Sequence, residues 1–140
     1  LNPDVAFIHA QSADTDGNIY IHGPKFDIKE VAYASRKVVV SVEEIIPRER
    51  ALRDLIFIPS YRVDAIVLSP FGSYPTNLYG YYYHDEEHIR KYVGLQCREE
   101  DIRKYIEEYI TGVNTFEEFL KKAVSPDKLS KLITLARRLM

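Results

Sequence analysis

The sequence lacks two features that would each point to a particular class of protein. It has no basic excess, because 19 Lys and Arg face 21 Asp and Glu for a net charge of -2. Proteins that bind a phosphate backbone need such an excess to release counterions. The longest apolar stretches, such as Val38–Val40, are strand-length and fall well short of the roughly 20 residues of a membrane helix. Neither nucleic acid nor a membrane is therefore an expected partner.

Cysteine is nearly absent. Cys97 is the only one, so no disulfide can form within the chain. No N-terminal segment joins a charged start to an apolar run, and both absences predict a cytoplasmic protein. Cys97 precedes Glu99, Glu100 and Asp101, whose charges disfavour the thiolate that a nucleophile requires. The first residue is Leu1 rather than methionine, which suggests a processed product or a piece of a longer protein.

Several catalytic motifs are also missing. The Gly-x-Ser-x-Gly elbow, the P-loop and Gly-x-Gly-x-x-Gly do not occur, so a serine hydrolase, an NTPase and a dinucleotide oxidoreductase lose their main support. One metal motif is present in outline, since His84, Glu87 and His88 have the spacing of an inverted zinc peptidase. Asp85 occupies the N-cap position of the helix that would carry them, which places His84 outside it. The pattern favours a solvated helix start over a zinc site.

The sequence does contain alternating strand-like and helix-like segments. Its 140 residues, 46% apolar and 29% charged, are typical of one globular domain. Val38–Val42 and Val63–Leu68 are largely apolar runs of the kind found in buried parallel strands. Val5–Ile8 and Ile19–His22 are two earlier strand candidates, followed by a helix that Asp27 is expected to cap. This order predicts an α/β fold with a parallel sheet.

A segment rich in tyrosine, glycine and proline follows these strands at residues 70–84. Its tyrosines are Tyr74, Tyr79, Tyr81, Tyr82 and Tyr83. Large amphipathic rings at this density are typical either of a lid packed on the domain or of a surface that contacts a ligand or another subunit.

Helical periodicity then fills the end of the chain. Apolar residues recur at helical spacing over Ile102–Ile110, and Gly112 is expected to end that helix. A capping box begins a second helix at Thr115, and a third helix follows it. These patterns predict an α/β portion over residues 1–97 and a helical segment over residues 98–140.

Two pairs of polar residues are candidates for chemistry. Glu43 and Glu44 directly follow the apolar strand Val38–Val42, and ligands of open α/β sheets bind outside such strand ends. A carboxylate at this position is either a site residue or a helix-start acid. Adjacent acids on a strand point in opposite directions, so at most one of the two can face a site. His9 and His22 stand alone on their strands, where a half-buried histidine with satisfied hydrogen bonds is more common than a catalyst.

Four segments taken in order resemble the second half of the alpha subunit of a family I coenzyme A transferase, most nearly the glutaconate CoA-transferase type. They are Asp4–Asn18, Val38–Ile46, Ile58–Val67 and Pro70–Pro75. The resemblance continues through the tyrosine-rich segment and the following helix, and covers most of the chain. It implies a partial parallel-sheet fold of the NagB/RpiA/CoA transferase-like class with C-terminal helices.

The resemblance also implies an activity. Such enzymes, of the EC 2.8.3 type, move CoA between an acyl-CoA and a free carboxylic acid, so coenzyme A or acyl-CoA is the expected substrate, without a tightly bound cofactor or metal. The family's nucleophilic glutamate lies on the beta subunit. We therefore expect no catalytic residue in this chain, and we expect the isolated chain to be inactive. The expected partners are the N-terminal half of the alpha subunit, whose glycine-rich loop has no counterpart here, together with the beta subunit.

The residues that the resemblance and the pattern nominate fall into two sets. Candidates for the substrate or CoA site are Gln11, Asp14, Asn18, Glu43, Glu44, Phe71 and Gly72. Candidates for subunit contact are Tyr81, Tyr82 and Tyr83. A sheet that begins at the first residues of this chain is also expected to present unpaired backbone groups at an edge.

Two other functions remain open from the sequence. A related branch of the superfamily hydrolyses a ring in CoA-linked substrates, which makes a CoA-thioester hydrolase the first alternative. A non-enzymatic binding module is the second, favoured by the absence of a nucleophile and by the tyrosine-rich segment.

Overall fold

Strands and helices alternate in the first part of the chain, and helices fill the second. The computed structural model describes residues 2–51, 55–95 and 98–138. Its strands are β1 (Val5–Asp14), β2 (Ile19–Tyr20), β3 (Lys37–Ile46) and β4 (Ala65–Leu68). Its helices are α1 (Ile28–Ala34), α2 (Arg48–Ala51), α3 (Glu86–Gly94), α4 (Glu99–Ile106), α5 (Phe116–Ala123) and α6 (Pro126–Arg138). Two further turns are a 3-10 turn (Ser60–Arg62) and a π-helical turn (Glu107–Thr111).

The strands form one sheet in the order β2-β1-β3-β4. β1 and β3 are parallel and in register from Val5 opposite Lys37 onwards, and β4 is parallel to β3. β2 pairs antiparallel with the end of β1, at Ser12 and Ala13. The predicted α/β sheet is thus confirmed, although the second strand is two residues long and antiparallel, since a tight turn connects it directly to β1.

The core lies on one face of this sheet. Side chains alternate across a strand, and the even-numbered positions Ala6, Ile8 and Ala10 of β1 join Val38, Val40 and Val42 of β3 in a buried cluster. Ala32 of α1 is fully buried in the same cluster. Asp27 precedes α1 as expected but makes no side-chain capping bond, so this part of the prediction is wrong.

The helices α3 to α6 confirm the predicted helical end of the chain. The Thr115 side chain accepts a hydrogen bond from the Glu118 N–H at 3.2 Å, whereas the Glu118 carboxylate bonds the Asn114 N–H at 2.7 Å. Gly112 follows the π-helical turn rather than an α-helix. A Cβ there would lie 2.1 Å from the Glu107 carbonyl oxygen, so this turn requires glycine.

The chain divides into two compact units, Leu1–Ser73 and Tyr74–Met140. The boundary between them lies at residues 73/74. The tyrosine-rich segment belongs with the helices, because the Tyr74 hydroxyl donates to Asp85 at 2.7 Å and the Tyr83 N–H donates to the Leu132 carbonyl. Within the described ranges, no helix has the length and apolar character needed to cross a membrane.

Candidate functional site

A buried carboxylate and a histidine meet part-way along β1 and β3, level with the end of β4, whose last residue Leu68 pairs with Val42. His9 Nε2 lies 2.8 Å from Glu43 Oε1, and His9 Nδ1 lies 2.8 Å from Ser41 Oγ. The other Glu43 oxygen accepts the Phe71 N–H at 2.7 Å. The side chains of His9 and Glu43 are 13% and 4% exposed. We call His9, Ser41, Glu43 and Phe71 the strand-end site.

The register of the sheet assembles this site. His9 and Ser41 are paired across β1 and β3, so their side chains project from the same face, and Glu43 follows on that face two residues later. A carboxylate only accepts hydrogen bonds, so Nε2 of His9 donates to Glu43. In a neutral imidazole, Nδ1 then accepts from the Ser41 hydroxyl. The result is a hydrogen-bonded chain from a hydroxyl through an imidazole to a carboxylate.

The loop after β4 packs tightly against these hydrogen-bonded side chains. Phe71 has a positive φ of 63°, a conformation that is uncommon for residues with a side chain and is often found at functional sites. A Cβ at Gly72 would lie 2.6 Å from His9 Cε1 and 2.8 Å from Nδ1. Only glycine therefore lets the loop approach the imidazole this closely. The predicted candidates Glu43, Phe71 and Gly72 thus lie together.

Glu44 points away from this site. Its carboxylate lies 3.4 Å from the Arg50 guanidinium, and both side chains are exposed by a third or more. Of the two adjacent acids, the buried one is held by hydrogen bonds and the other forms a solvated ion pair. This is the division that a strand imposes on neighbouring residues.

Asp14 and Asn18 organise the turn between β1 and β2. Asp14 accepts hydrogen bonds from the N–H groups of Asp16 and Asn18, from the Asn18 amide and from the Tyr20 hydroxyl, at 2.8 to 3.0 Å. Burial acts to raise the pKa of Asp14, but these hydrogen bonds together outweigh it and lower the pKa. Asn18 Oδ1 also accepts the Ser60 N–H. Both residues therefore have direct structural roles.

Gln11 makes a comparable contact on β1. Its carboxamide donates to the His22 carbonyl at 3.0 Å and accepts the His22 N–H at 3.2 Å. The side chain thus supplies the hydrogen bonds that a neighbouring strand would make, just beyond the point where β2 ends. His22 is tied to β1 through its backbone.

The subunit-contact candidates differ in exposure. Tyr82 is 1% exposed, so its ring already packs within its own unit and offers no surface to a partner. Its N–H donates to the Leu78 carbonyl, and the Leu78 N–H donates back to the Tyr82 carbonyl. Tyr81 is half-buried, while Tyr83 remains exposed and packs against His84 with ring centroids 4.2 Å apart. Tyr81 and Tyr83 are the two candidates that retain accessible surface.

His84, Glu87 and His88, which have the spacing of a zinc motif, lie at the start of α3. Asp85 caps α3 by accepting the His88 N–H at 3.0 Å, and His84 lies outside the helix as expected. His88 is buried and its Nε2 lies 2.8 Å from the Tyr105 hydroxyl; burial lowers the pKa of His88. Over the described ranges, no group of three or more His, Cys, Asp and Glu side chains is placed to hold a metal ion. Cys97 lies outside those ranges.

Sequence reasoning missed His9 and Ser41 as parts of the site. Each belongs to an ordinary strand pattern, and their meeting depends on the pairing of strands separated by 32 positions. The signal in the sequence was the alternation of side chains along a strand. His9 projects from the same face of the sheet as Glu43. The register needed to use that signal comes only from the structure.

Comparison with known proteins identifies the family. A family model described as "Coenzyme A transferase" matches residues 1–69. The A subunit of glutaconate CoA-transferase from Acidaminococcus fermentans is 37% identical over 121 residues, which are 85% of this chain and 38% of that protein. The chain belongs to the coenzyme A transferase family. An uncharacterised family relative from Archaeoglobus fulgidus is 41% identical over 133 residues, covering 93% of this chain and 30% of that protein.

Solved structures agree with this assignment. The crystal structure of the A. fermentans glutaconate CoA-transferase matches with a TM-score of 0.88 and 35% identity, covering 94% of this chain and 42% of that one. This confirms the predicted CoA-transferase-like fold. A structure of the decarboxylase AibA/AibB matches with a TM-score of 0.62 and 36% identity, over 74% of this chain and 37% of that one. The chain spans 30% to 42% of the lengths of these relatives.

Proposed function

We propose that this chain is the C-terminal part of an A-type (alpha) subunit of a CoA-transferase, which moves CoA between an acyl-CoA and a free carboxylic acid together with a B-type (beta) subunit. The observation that carries the proposal is the similarity to the A subunit of glutaconate CoA-transferase over 85% of the chain, with a matching fold. The proposed partners are the B subunit, together with the N-terminal part of the A subunit. The proposed substrates are acyl-CoA and the acid.

The strand-end site supports a role as part of the substrate wall. Both Glu43 oxygens are already bonded, to His9 and to the Phe71 N–H, so this carboxylate is poorly suited to attack a thioester. It is well suited to hold the loop at Phe71 and Gly72 just beyond the end of β4, and ligands of α/β sheets bind outside strand ends. Covalent catalysis by a carboxylate then falls to the proposed B subunit, as the family resemblance implies.

The experiment uses the complete A and B subunits. They are incubated with an acyl-CoA and an isotopically labelled carboxylic acid, and label transfer into acyl-CoA is followed. A parallel sample is treated with borohydride to trap a glutamyl thioester. We expect both exchange and trapping. Absence of both over a panel of short-chain acyl-CoA substrates would contradict transferase activity.

The hydrolase alternative has one observation in its favour. Ser41, His9 and Glu43 form a continuous hydrogen-bonded chain, the order of groups that activates a serine hydroxyl in hydrolases. A hydrolase would release free CoA without any carboxylic acid acceptor and would lose that activity in Ser41→Ala. A transferase would require the acceptor acid and would retain exchange in the same variant. A protein that does neither but binds CoA would be the binding module.

A further inference from the structure

The helical unit contains a cleft that the proposed function does not use. Its volume of about 480 Å³ falls within the range of small-molecule pockets, roughly 300 to 1,000 Å³. All of its lining belongs to the unit Tyr74–Met140. The lining includes two tyrosines, two phenylalanines, an isoleucine and a threonine, namely Tyr105, Tyr109, Ile110, Thr115, Phe116 and Phe119. We call the space between these six residues the aromatic cleft.

The aromatic side chains of the cleft are in contact with one another. The rings of Tyr105 and Tyr109 have centroids 4.8 Å apart, and Phe119 meets Tyr109 edge-on at 6.3 Å. Phe116 lies 5.6 Å from Phe119. Such offset and edge-on arrangements expose both negative ring faces and positive ring edges, which a further aromatic ring complements.

The polar ends of the two tyrosines are bonded to residues outside the lining. The Tyr105 hydroxyl lies 2.8 Å from His88 Nε2, and the Tyr109 hydroxyl accepts the Lys91 ammonium at 2.9 Å. Neither His88 nor Lys91 lines the aromatic cleft. The two tyrosines therefore contribute ring carbons to its wall, while their hydroxyls serve the interior of the unit.

The cleft is uncharged and apolar at its mouth. None of the described residues that line it is Lys, Arg, Asp or Glu. Ile110 is 60% exposed and Phe116 is 39% exposed, so both present apolar surface to solvent. Thr115 supplies a polar group, because a hydroxyl that accepts the Glu118 N–H can still donate its own proton.

An unusual backbone segment positions one wall. Tyr109 and Ile110 belong to the π-helical turn Glu107–Thr111, and single π-turns are frequent at functional sites. Gly112 makes this turn possible, since a Cβ there would lie 2.1 Å from the Glu107 carbonyl oxygen. An uninterrupted α-helix would rotate Ile110 relative to Tyr105 and change the shape of the cleft.

We propose that the aromatic cleft is a binding site for a small uncharged ligand with an aromatic ring, whose polar end bonds the Thr115 hydroxyl. Ring contacts supply the affinity, and the uncharged lining selects against ions, because a buried charge without a partner is costly. The nucleotide part of CoA does not fit this chemistry, since its phosphates require cations. The site is therefore separate from the substrate site of the proposed function, and its binding does not depend on that function.

The test is ligand-observed fluorine NMR with two probes, 4-fluorophenol and 4-fluorobenzoate, added to the complete protein that contains this chain. The probes share a fluorinated ring, but only the second is charged at pH 7. We expect 4-fluorophenol to saturate with a dissociation constant of roughly 1 mM, as its few atoms allow. We expect 4-fluorobenzoate to bind at least about tenfold more weakly. Absence of saturation by 4-fluorophenol, or equal affinity for the two probes, would overturn the inference.

Variants locate the binding in the cleft. Ile110→Lys places an ammonium at the mouth, and we expect it to weaken 4-fluorophenol binding at least about tenfold. Ile106→Lys is the matched control, because Ile106 lies one turn earlier, is 39% exposed and does not line the cleft. It should bind as wild type. Phe116→Ala removes a ring at an exposed position and should cause a comparable loss, which keeps the test valid if Ile110→Lys fails to fold.

Two further results would overturn the inference. The first is undiminished 4-fluorophenol binding in Ile110→Lys and Phe116→Ala, which would place the probe elsewhere. The second is a smaller assembly in Ile110→Lys than in wild type by light scattering, which would assign the cleft to a contact with a second copy or another subunit. Binding is measured without turnover, so loss of CoA exchange would contradict the proposed function and leave this inference standing.

Discussion

Glu43 in the first unit and Asp85 in the second are both buried, and their carboxylates are satisfied in different ways. Asp85 is 1% exposed and bonds the Tyr74 hydroxyl at 2.7 Å, the His88 N–H at 3.0 Å and the Lys128 ammonium at 2.8 Å. Burial acts to raise the pKa of Asp85, and its hydrogen bonds and the Lys128 charge together lower it. This carboxylate therefore holds the start of α3, the Tyr74 ring and the Lys128 side chain in place.

Glu43 instead bonds a histidine and the N–H of a residue with positive φ. Asp85 thus connects elements of regular structure, whereas Glu43 positions a tightly packed loop at the strand ends. The difference indicates that burial of a carboxylate alone does not mark a ligand site. What surrounds the carboxylate, and which backbone it constrains, separates a structural role from a functional one.

The largest expected effect is on stability, at Asp85. Asp85→Ala removes the α3 cap, the shorter of the two hydrogen bonds of the Tyr74 hydroxyl and the ion pair with Lys128, so we expect the free energy of unfolding to fall by about 3 kcal/mol. Urea denaturation followed by circular dichroism measures it. Glu87→Ala is the control, since Glu87 also bonds Lys128 but is 86% exposed. It should cost less than about 1 kcal/mol. Equal losses of unfolding free energy in Asp85→Ala and Glu87→Ala would show that the buried carboxylate contributes no more to stability than the exposed one.

Gly72→Ala tests the close approach of the loop to His9. The added Cβ would lie 2.6 Å from His9 Cε1 and 2.9 Å from the Ser69 carbonyl oxygen, and relieving such overlap costs about 1 to 3 kcal/mol. CoA exchange should fall with it, because the imidazole or the loop must move. Gly94→Ala, where nothing lies within 4 Å of the new Cβ, should leave both quantities nearly unchanged. Wild-type stability and exchange in Gly72→Ala would show that the loop is not fixed against His9.

Parts of this arrangement were accessible from the sequence. The apolar run Val38–Val42 identified a buried strand, and Phe71 and Gly72 came with the family resemblance. The expected strand end before Glu43 was wrong, because β3 continues through both acids to Ile46. The sequence did not show which acid faces inward or that His9 and Ser41 join it, because both depend on strand register. The tyrosine-rich composition predicts that rings are present at a contact surface, but it does not show which ring the fold buries, and Tyr82 is 1% exposed.

Glu43→Gln tests whether the strand-end site contributes to CoA exchange. A carboxamide has one acceptor oxygen, so it satisfies either the His9 N–H or the Phe71 N–H but not both. We expect kcat/KM of CoA exchange to fall roughly tenfold, equivalent to about 1.4 kcal/mol, in a folded protein that still assembles. Glu44→Gln, which weakens a solvated ion pair with Arg50, should behave as wild type. If both variants keep wild-type exchange and assembly, the strand-end site has no part in the reaction.

The smallest expected effect is the pH dependence contributed by Asp14. Its hydrogen bonds to Asn18 and Tyr20 lower its pKa in the folded protein below the ordinary value of 3.8, so between the two values the unfolded chain binds more protons than the folded one. The stabilisation is therefore complete at pH well above 3.8 and is lost as the pH falls through the lowered pKa. We expect Asp14→Asn to destabilise the protein at pH 6 and the difference from wild type to shrink towards pH 3, as measured by urea denaturation across this range. Asp4→Asn is the control, because Asp4 is 85% exposed and its ion pair with Arg36 is solvated. A difference at Asp14 that stays constant with pH would mean that its hydrogen bonds do not depend on its charge.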